Sequence, residues 1–113
     1  MAEGRGQMAD EDGRRQIAAG RAQDGPALRL IVAGRVQGVG FRWSAKDEAE
    51  RVGARGWVRN LPDGTVEIHL EGDSGAVNHM RRWAAHGPPG ARVAGVEEGD
   101  ADAEGQLGFD VRD

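Results

Sequence analysis

Between Leu28 and Val111 the apolar residues switch period repeatedly, and that rhythm limits the fold more than any other feature of the chain. Order is expected to begin near Pro26. Leu28, Leu30 and Val32 alternate with Arg29, Ile31 and Ala33, the period of a strand, and the glycine-bearing stretch 34–40 ends it. From Phe41 to Val52 the spacing becomes helical, with Ala45, Ala49 and Val52 on one face and Gly53 placed to cap the end. A strand over Arg55–Asn60 follows, then a Leu61-Pro62-Asp63-Gly64 turn. Val66, Ile68 and Leu70 next alternate with Glu67, His69 and Glu71, which predicts a half-buried strand with its polar row in solvent.

A second helix, capped by Asp73 or Ser74, is expected through Val77, Met80, Trp83 and Ala84, and Gly87-Pro88-Pro89 stops it. Val93 and Val96 suit a fourth strand; the acidic stretch 97–106 reads as a solvated loop, and Leu107, Phe109 and Val111 as a short last strand. The order β-α-β-β-α-β plus a terminal strand predicts an α+β, ferredoxin-like sandwich: an antiparallel sheet with both helices on one face. That architecture hosts many functions, so function must be argued from a site.

At 113 residues there is room for one domain. Residues 1–25 are polar and Gly-rich, with too few large apolar side chains to offset the entropy of ordering, so they read as a disordered tail ahead of a single domain over 26–113. The absence of cysteine excludes disulfides, thiolate nucleophiles and Cys-type zinc sites. No apolar run approaches a membrane span and the N-terminus lacks a signal-peptide core, so the expectation is a cytoplasmic protein without a membrane partner.

The net charge of −4 is unevenly spread. Residues 97–113 hold seven acids against one arginine, whereas 26–96 hold ten basic and seven acidic residues. Only that middle attracts a small anion, and it is too weakly basic for a nucleic-acid binder. An RNA-binding ferredoxin-like domain would also want aromatics exposed on its central strands; the chain has no Tyr, and Phe41 and Phe109 do not fit that pattern.

The stretch that carries chemistry is Gly34-Arg35-Val36-Gln37-Gly38-Val39-Gly40-Phe41-Arg42, between a strand and the first turn of a helix. A loop there can turn successive backbone N–H groups inward as an anion nest, and the helix start adds unpaired N–H groups and the positive end of its dipole. Gly38 and Gly40 let the backbone approach an oxyanion, and Arg42 can offer a planar guanidinium to two phosphate oxygens. Taken by itself, the same segment also reads as an ordinary Gly-containing β-α loop with a surface arginine.

This segment resembles the signature of the acylphosphatase family, a Gly-x-Val-Gln-Gly-Val-x-Phe-Arg run. The family's second signature follows one helix later as Gly56-Trp57-Val58-Arg59-Asn60-Leu61-Pro62-Asp63-Gly64-Thr65-Val66, and its Gly-Pro-Pro element as Gly87-Pro88-Pro89. The resemblance covers about residues 27–112 and leaves out the N-terminal tail, which is not typical of the family. It implies hydrolysis of the carboxyl-phosphate bond of acyl phosphates, without cofactor or metal, by what is expected to be a monomer. It makes Arg42 the catalytic phosphate-binding arginine and Asn60 the residue that orients the attacking water. The amides of Gln37, Gly38, Val39, Gly40 and Phe41 would hold the phosphoryl oxygens. Val58 and Asn60, two apart on a strand, share a face, which would bring Asn60 out near the helix start.

So few groups suffice because phosphoryl transfer needs positioning and charge stabilisation more than covalent help. The leaving carboxylate, with a conjugate acid of pKa about 4, departs without a general acid. Rival readings are a non-catalytic anion binder on the same fold, and a domain of this type cut from a larger maturation enzyme, against which the short chain argues. Among other residues, His69, His79 and His86 lack metal spacing and read as solvated. Trp57 and Trp83 read as packing residues; Trp43, next to Arg42, reads either as bordering the substrate pocket or, the favoured reading, as packing; Asp47, Glu48 and Glu50 read as a solvated helix face, and Arg35 and Arg59 as candidates to steer anions.

Overall fold

The structure, a computed structural model, describes residues 26–113; the expected tail lies outside the described residues. The element order is β1 (Ala27–Arg35), α1 (Phe41–Val52), β2 (Arg55–Asn60), β3 (Val66–Glu71), α2 (Ser74–Ala84), β4 (Arg92–Ala101) and β5 (Phe109–Arg112). The strands form one sheet in the order β4-β1-β3-β2-β5. β3 lies between β1 and β2, and β1 between β3 and β4, so each helix crosses over a strand that the chain inserts elsewhere. This is the split βαβ, ferredoxin-like arrangement. The four strands β1–β4 pair antiparallel as expected, while β5 adds to β2 in parallel, with Gly56 opposite Phe109 and Arg59 opposite Arg112.

The helices cover one face. Leu30, Val32, Val58, Val66, Ile68 and Leu70 meet Phe41, Ala45 and Ala49 of α1 and Ala76, Val77, Met80 and Ala84 of α2 in a single buried cluster. Each large side chain there stabilises the fold by about 1.5–3 kcal/mol. The alanines of α1 let its backbone sit close to the sheet, and Gly53 ends the helix with its N–H on the Ala49 carbonyl at 2.8 Å. At α2, Asp73 is the cap: its carboxylate accepts from the Ala76 N–H at 2.9 Å.

Three expectations need correction. β3 is buried on both faces: Glu67, His69 and Glu71 are each less than 5% exposed, not solvated. Trp57 stacks on His69 with ring centroids 5.5 Å apart, and the 102–108 segment closes over the row through Glu104 and Gln106. Second, residues 97–101 are not loop. They extend β4 along the free edge of β1, where the acids stay in solvent and Glu98 pairs with Arg81 at 2.7 Å. Such charge on an edge strand also discourages pairing with another chain. Third, Leu107 lies outside β5 and is fully exposed.

Candidate active site

The loop between β1 and α1 is sorted by side chain. Val36 and Phe41 are buried and Val39 packs against the core, while Gly38 and Gly40 face outward. Phe41 is held edge-on by Trp83, with centroids 5.2 Å apart. Gly38 (φ 76°) and Gly40 (φ 77°) are both left-handed, a conformation that disfavours any Cβ. A Cβ at either would meet nothing within 4 Å, so glycine supplies the backbone angle here and not the room. Gly40 is the N-cap of α1. No side chain caps the helix, and no acid lies in its first turn, which leaves its positive end to whatever enters the loop.

Gln37 reaches the other way. Its Nε2 donates to the Leu61 carbonyl at 2.8 Å and the Thr65 carbonyl at 2.9 Å, tying the loop to the β2–β3 turn. That turn is closed by Leu61 N–H on the Thr65 carbonyl (2.9 Å) and Gly64 N–H on the Leu61 carbonyl (3.1 Å). Asp63 accepts from the Thr65 hydroxyl at 2.6 Å and from its N–H at 3.0 Å, and these bonds lower its carboxyl below the usual value.

Asn60, the last residue of β2, sits directly before this turn. A pocket of about 180 Å³ is lined by Val36, Gly38, Gly40, Phe41, Arg42, Trp43 and Asn60. Arg42 and Asn60 therefore line one pocket with the two outward glycines. Asn60 Oδ1 is buried and has no hydrogen-bond partner among the described residues. An unpaired buried acceptor costs about 1–3 kcal/mol, which makes it an unusual thing to find in a settled structure. Arg42 is partly buried; its Nη1 donates to the Arg112 carbonyl at 2.9 Å and lies 3.9 Å from the Asp113 carboxylate. A guanidinium has five N–H donors, so this anchor leaves others for a ligand.

The family model for acylphosphatase matches residues 28–111. The chain belongs to the acylphosphatase family. An acylphosphatase of Anaeromyxobacter dehalogenans is 56% identical over 85 residues, covering 74% of this chain and 91% of the relative. One of Rubrobacter xylanophilus is 56% identical over 86 residues, covering 75% of this chain and 78% of the relative. The solved structure of an acylphosphatase from Coxiella burnetii superposes with a TM-score of 0.78 at 32% identity, covering 85% of this chain and all of that one. Acylphosphatase activity, and hence hydrolysis of acyl phosphates, goes with that membership.

In this acylphosphatase the sequence-picked residues fall into two groups. Gly38, Gly40, Phe41, Arg42 and Asn60 line the pocket; Gln37 and Val39 do not, their side chains being used to brace the loop. Arg59 does not face it either. It is committed to Glu67, Nε to Oε1 at 2.6 Å, and lies over Trp57, so the sheet's other face holds it and the steering expectation falls for that residue. Trp43 was expected to pack, yet it is 60% exposed at the pocket rim.

Sequence reasoning missed Arg112 and Asp113, which reach Arg42 only because β5 runs parallel to β2. No local spacing signals that pairing. His69, Glu71 and Glu104 bring metal-ligand atoms within 4.8 Å of one another. Each is already bound within the protein: Glu71 by His69 Nε2 (2.6 Å) and the N–H groups of Glu104 (2.6 Å) and Gln106 (3.2 Å), Glu104 by Trp57 Nε1 (3.0 Å). Hydrogen bonding accounts for the cluster. No helix among the described residues is long and apolar enough to cross a membrane.

Proposed function

We propose that the pocket hydrolyses acyl phosphates with the phosphoryl group cradled by the amides of residues 37–41 and by Arg42, and with the attacking water held by Asn60. The observation that carries this reading is the convergence of Arg42, Asn60 and two left-handed glycines on one small pocket, with the Asn60 amide oxygen unpaired. The phosphoryl oxygens would take N–H donors from the loop and the uncapped helix start, and two from the guanidinium. These contacts tighten as charge shifts in the transition state, where they contribute most.

Asn60 would accept a hydrogen bond from the water and fix its line of approach. The water oxygen bonds to phosphorus as the bond from phosphorus to the acyl oxygen breaks. The electron pair leaves with the carboxylate, and the water's proton ends on the phosphate product. A carboxylate needs no general acid to depart, so neither a metal nor a cofactor is required by the chemistry. The same proposal takes the enzyme as a cytoplasmic monomer, with residues 1–25 as a tail appended to the domain.

A non-catalytic phosphate binder on the same fold would have no use for a water-orienting amide. Purified protein assayed with benzoyl phosphate, with inorganic phosphate as competitor, separates them. The expected result is turnover with competitive inhibition. Phosphate binding without turnover favours the binder, and turnover that phosphate does not compete with overturns the cradle.

A further inference from the structure

Two large apolar residues are exposed among the described residues, Trp43 and Leu107, and only Trp43 adjoins the pocket. The other two tryptophans are engaged: Trp83 packs on Phe41, and Trp57 lies between His69 and two guanidiniums. Trp43 has no ring partner among the described residues. Two positions after Phe41 on α1, it is rotated about 200° from that buried residue, off the core face defined by Phe41, Ala45 and Ala49. An indole left 60% exposed forgoes much of the burial open to it, so packing does not explain the residue.

Gly38, Gly40, Arg42 and Asn60 line the pocket together with Trp43, whose side chain is largely exposed. With the phosphoryl group held by the first four, the acyl group shares the same pocket, and the exposed flat apolar surface in its lining is the Trp43 indole. We propose that Trp43 is a specificity-determining residue whose indole face receives the acyl group, so that the favoured substrates are acyl phosphates with a planar aromatic acyl part. This rests on the cradle reading above. An aromatic ring stacked on an indole gains about 0.5–1.5 kcal/mol beyond its buried area; a methyl group covers too little of the ring to match it. Exposure of Trp43 is then the state of a surface waiting for part of its substrate.

The test compares kcat/KM for benzoyl and acetyl phosphate in the wild-type protein, Trp43→Ala and Trp43→Phe, with the inhibition constant of inorganic phosphate measured in each. The exposed position allows both variants to fold. The expected result is a fall of about threefold to tenfold in the benzoyl-to-acetyl ratio for Trp43→Ala, arising in KM for benzoyl phosphate. Partial recovery in Trp43→Phe and an unchanged phosphate constant complete that result. A ratio that does not move, or an equal loss on both substrates, overturns the proposal while leaving the cradle standing. Failure of phosphate to compete in the wild-type protein removes the cradle, and this proposal with it.

Discussion

The pocket at one end of β2 and the polar row on the outer face of β3 both bury polar side chains, but they treat them in opposite ways. In the row every acid is answered. Glu67 takes the Nε of Arg29 and of Arg59, each at 2.6 Å, and Glu71 takes His69 and two backbone N–H groups. Burial alone raises both carboxyls, yet these partners outweigh it and hold each below the ordinary glutamate value. Asn60, which lines the pocket with Arg42, keeps a buried amide oxygen with no hydrogen-bond partner among the described residues. Satisfied burial makes structure, and unsatisfied burial keeps a demand for a ligand.

If that contrast is right, damage at the two places should read out differently. The largest effect belongs to Arg42→Ala: kcat/KM for benzoyl phosphate should fall by about 4 kcal/mol, near a thousandfold, with little change in stability to urea. Near-normal activity would show that the guanidinium does not hold the phosphoryl group. Next comes Glu71→Ala, five residues and ~17 Å along β3 from the pocket end. It strands His69 and the N–H groups of Glu104 and Gln106, and should cost about 2–3 kcal/mol in urea unfolding while kcat of the folded enzyme holds. A loss of kcat without a loss of stability would break the division between the two regions.

A smaller effect is expected at Glu67, whose two arginine partners are about half exposed and so partly screened. Its folded carboxyl is depressed, so the stability it contributes is present above the unfolded value near 4.5 and is lost as pH falls through the folded value. Glu67→Gln should therefore lower stability by about 1–2 kcal/mol at pH 7 and flatten the loss below pH ~4.5. Urea melts across pH 3–7 would check both; parallel profiles for the two proteins would contradict the ion-pair account.

Much of the helix-covered half was legible in the sequence, because apolar periodicity is local and the partner of every apolar stripe was another stripe. The position of Asn60 was legible for the same reason: Val58 lies in the core, so Asn60, two residues on, emerges beside the start of α1, whereas the roles given to Arg42 and Asn60 came from the family resemblance and not from periodicity. What resisted reading was long-range. Glu67, His69 and Glu71 look solvent-facing on an alternating strand, and only the return of residues 102–108 over that face buries them. Likewise 97–101 is too acidic to suggest a strand, yet its backbone pairs with β1 while its side chains stay wet. Trp43, read as a packing residue, is a third such case, since nothing in the local sequence shows that its ring stays exposed in the lining of the pocket.

If Asn60 serves the water and not the phosphate, turnover and phosphate binding part company at this residue. Steady-state kinetics of Asn60→Ala with benzoyl phosphate, run alongside the inhibition constant of inorganic phosphate, addresses this directly. The prediction is a drop in kcat of about a hundredfold, with phosphate inhibition within about twofold of wild type and stability undiminished. A variant that turns over normally, or one that loses phosphate binding in step with kcat, would contradict it.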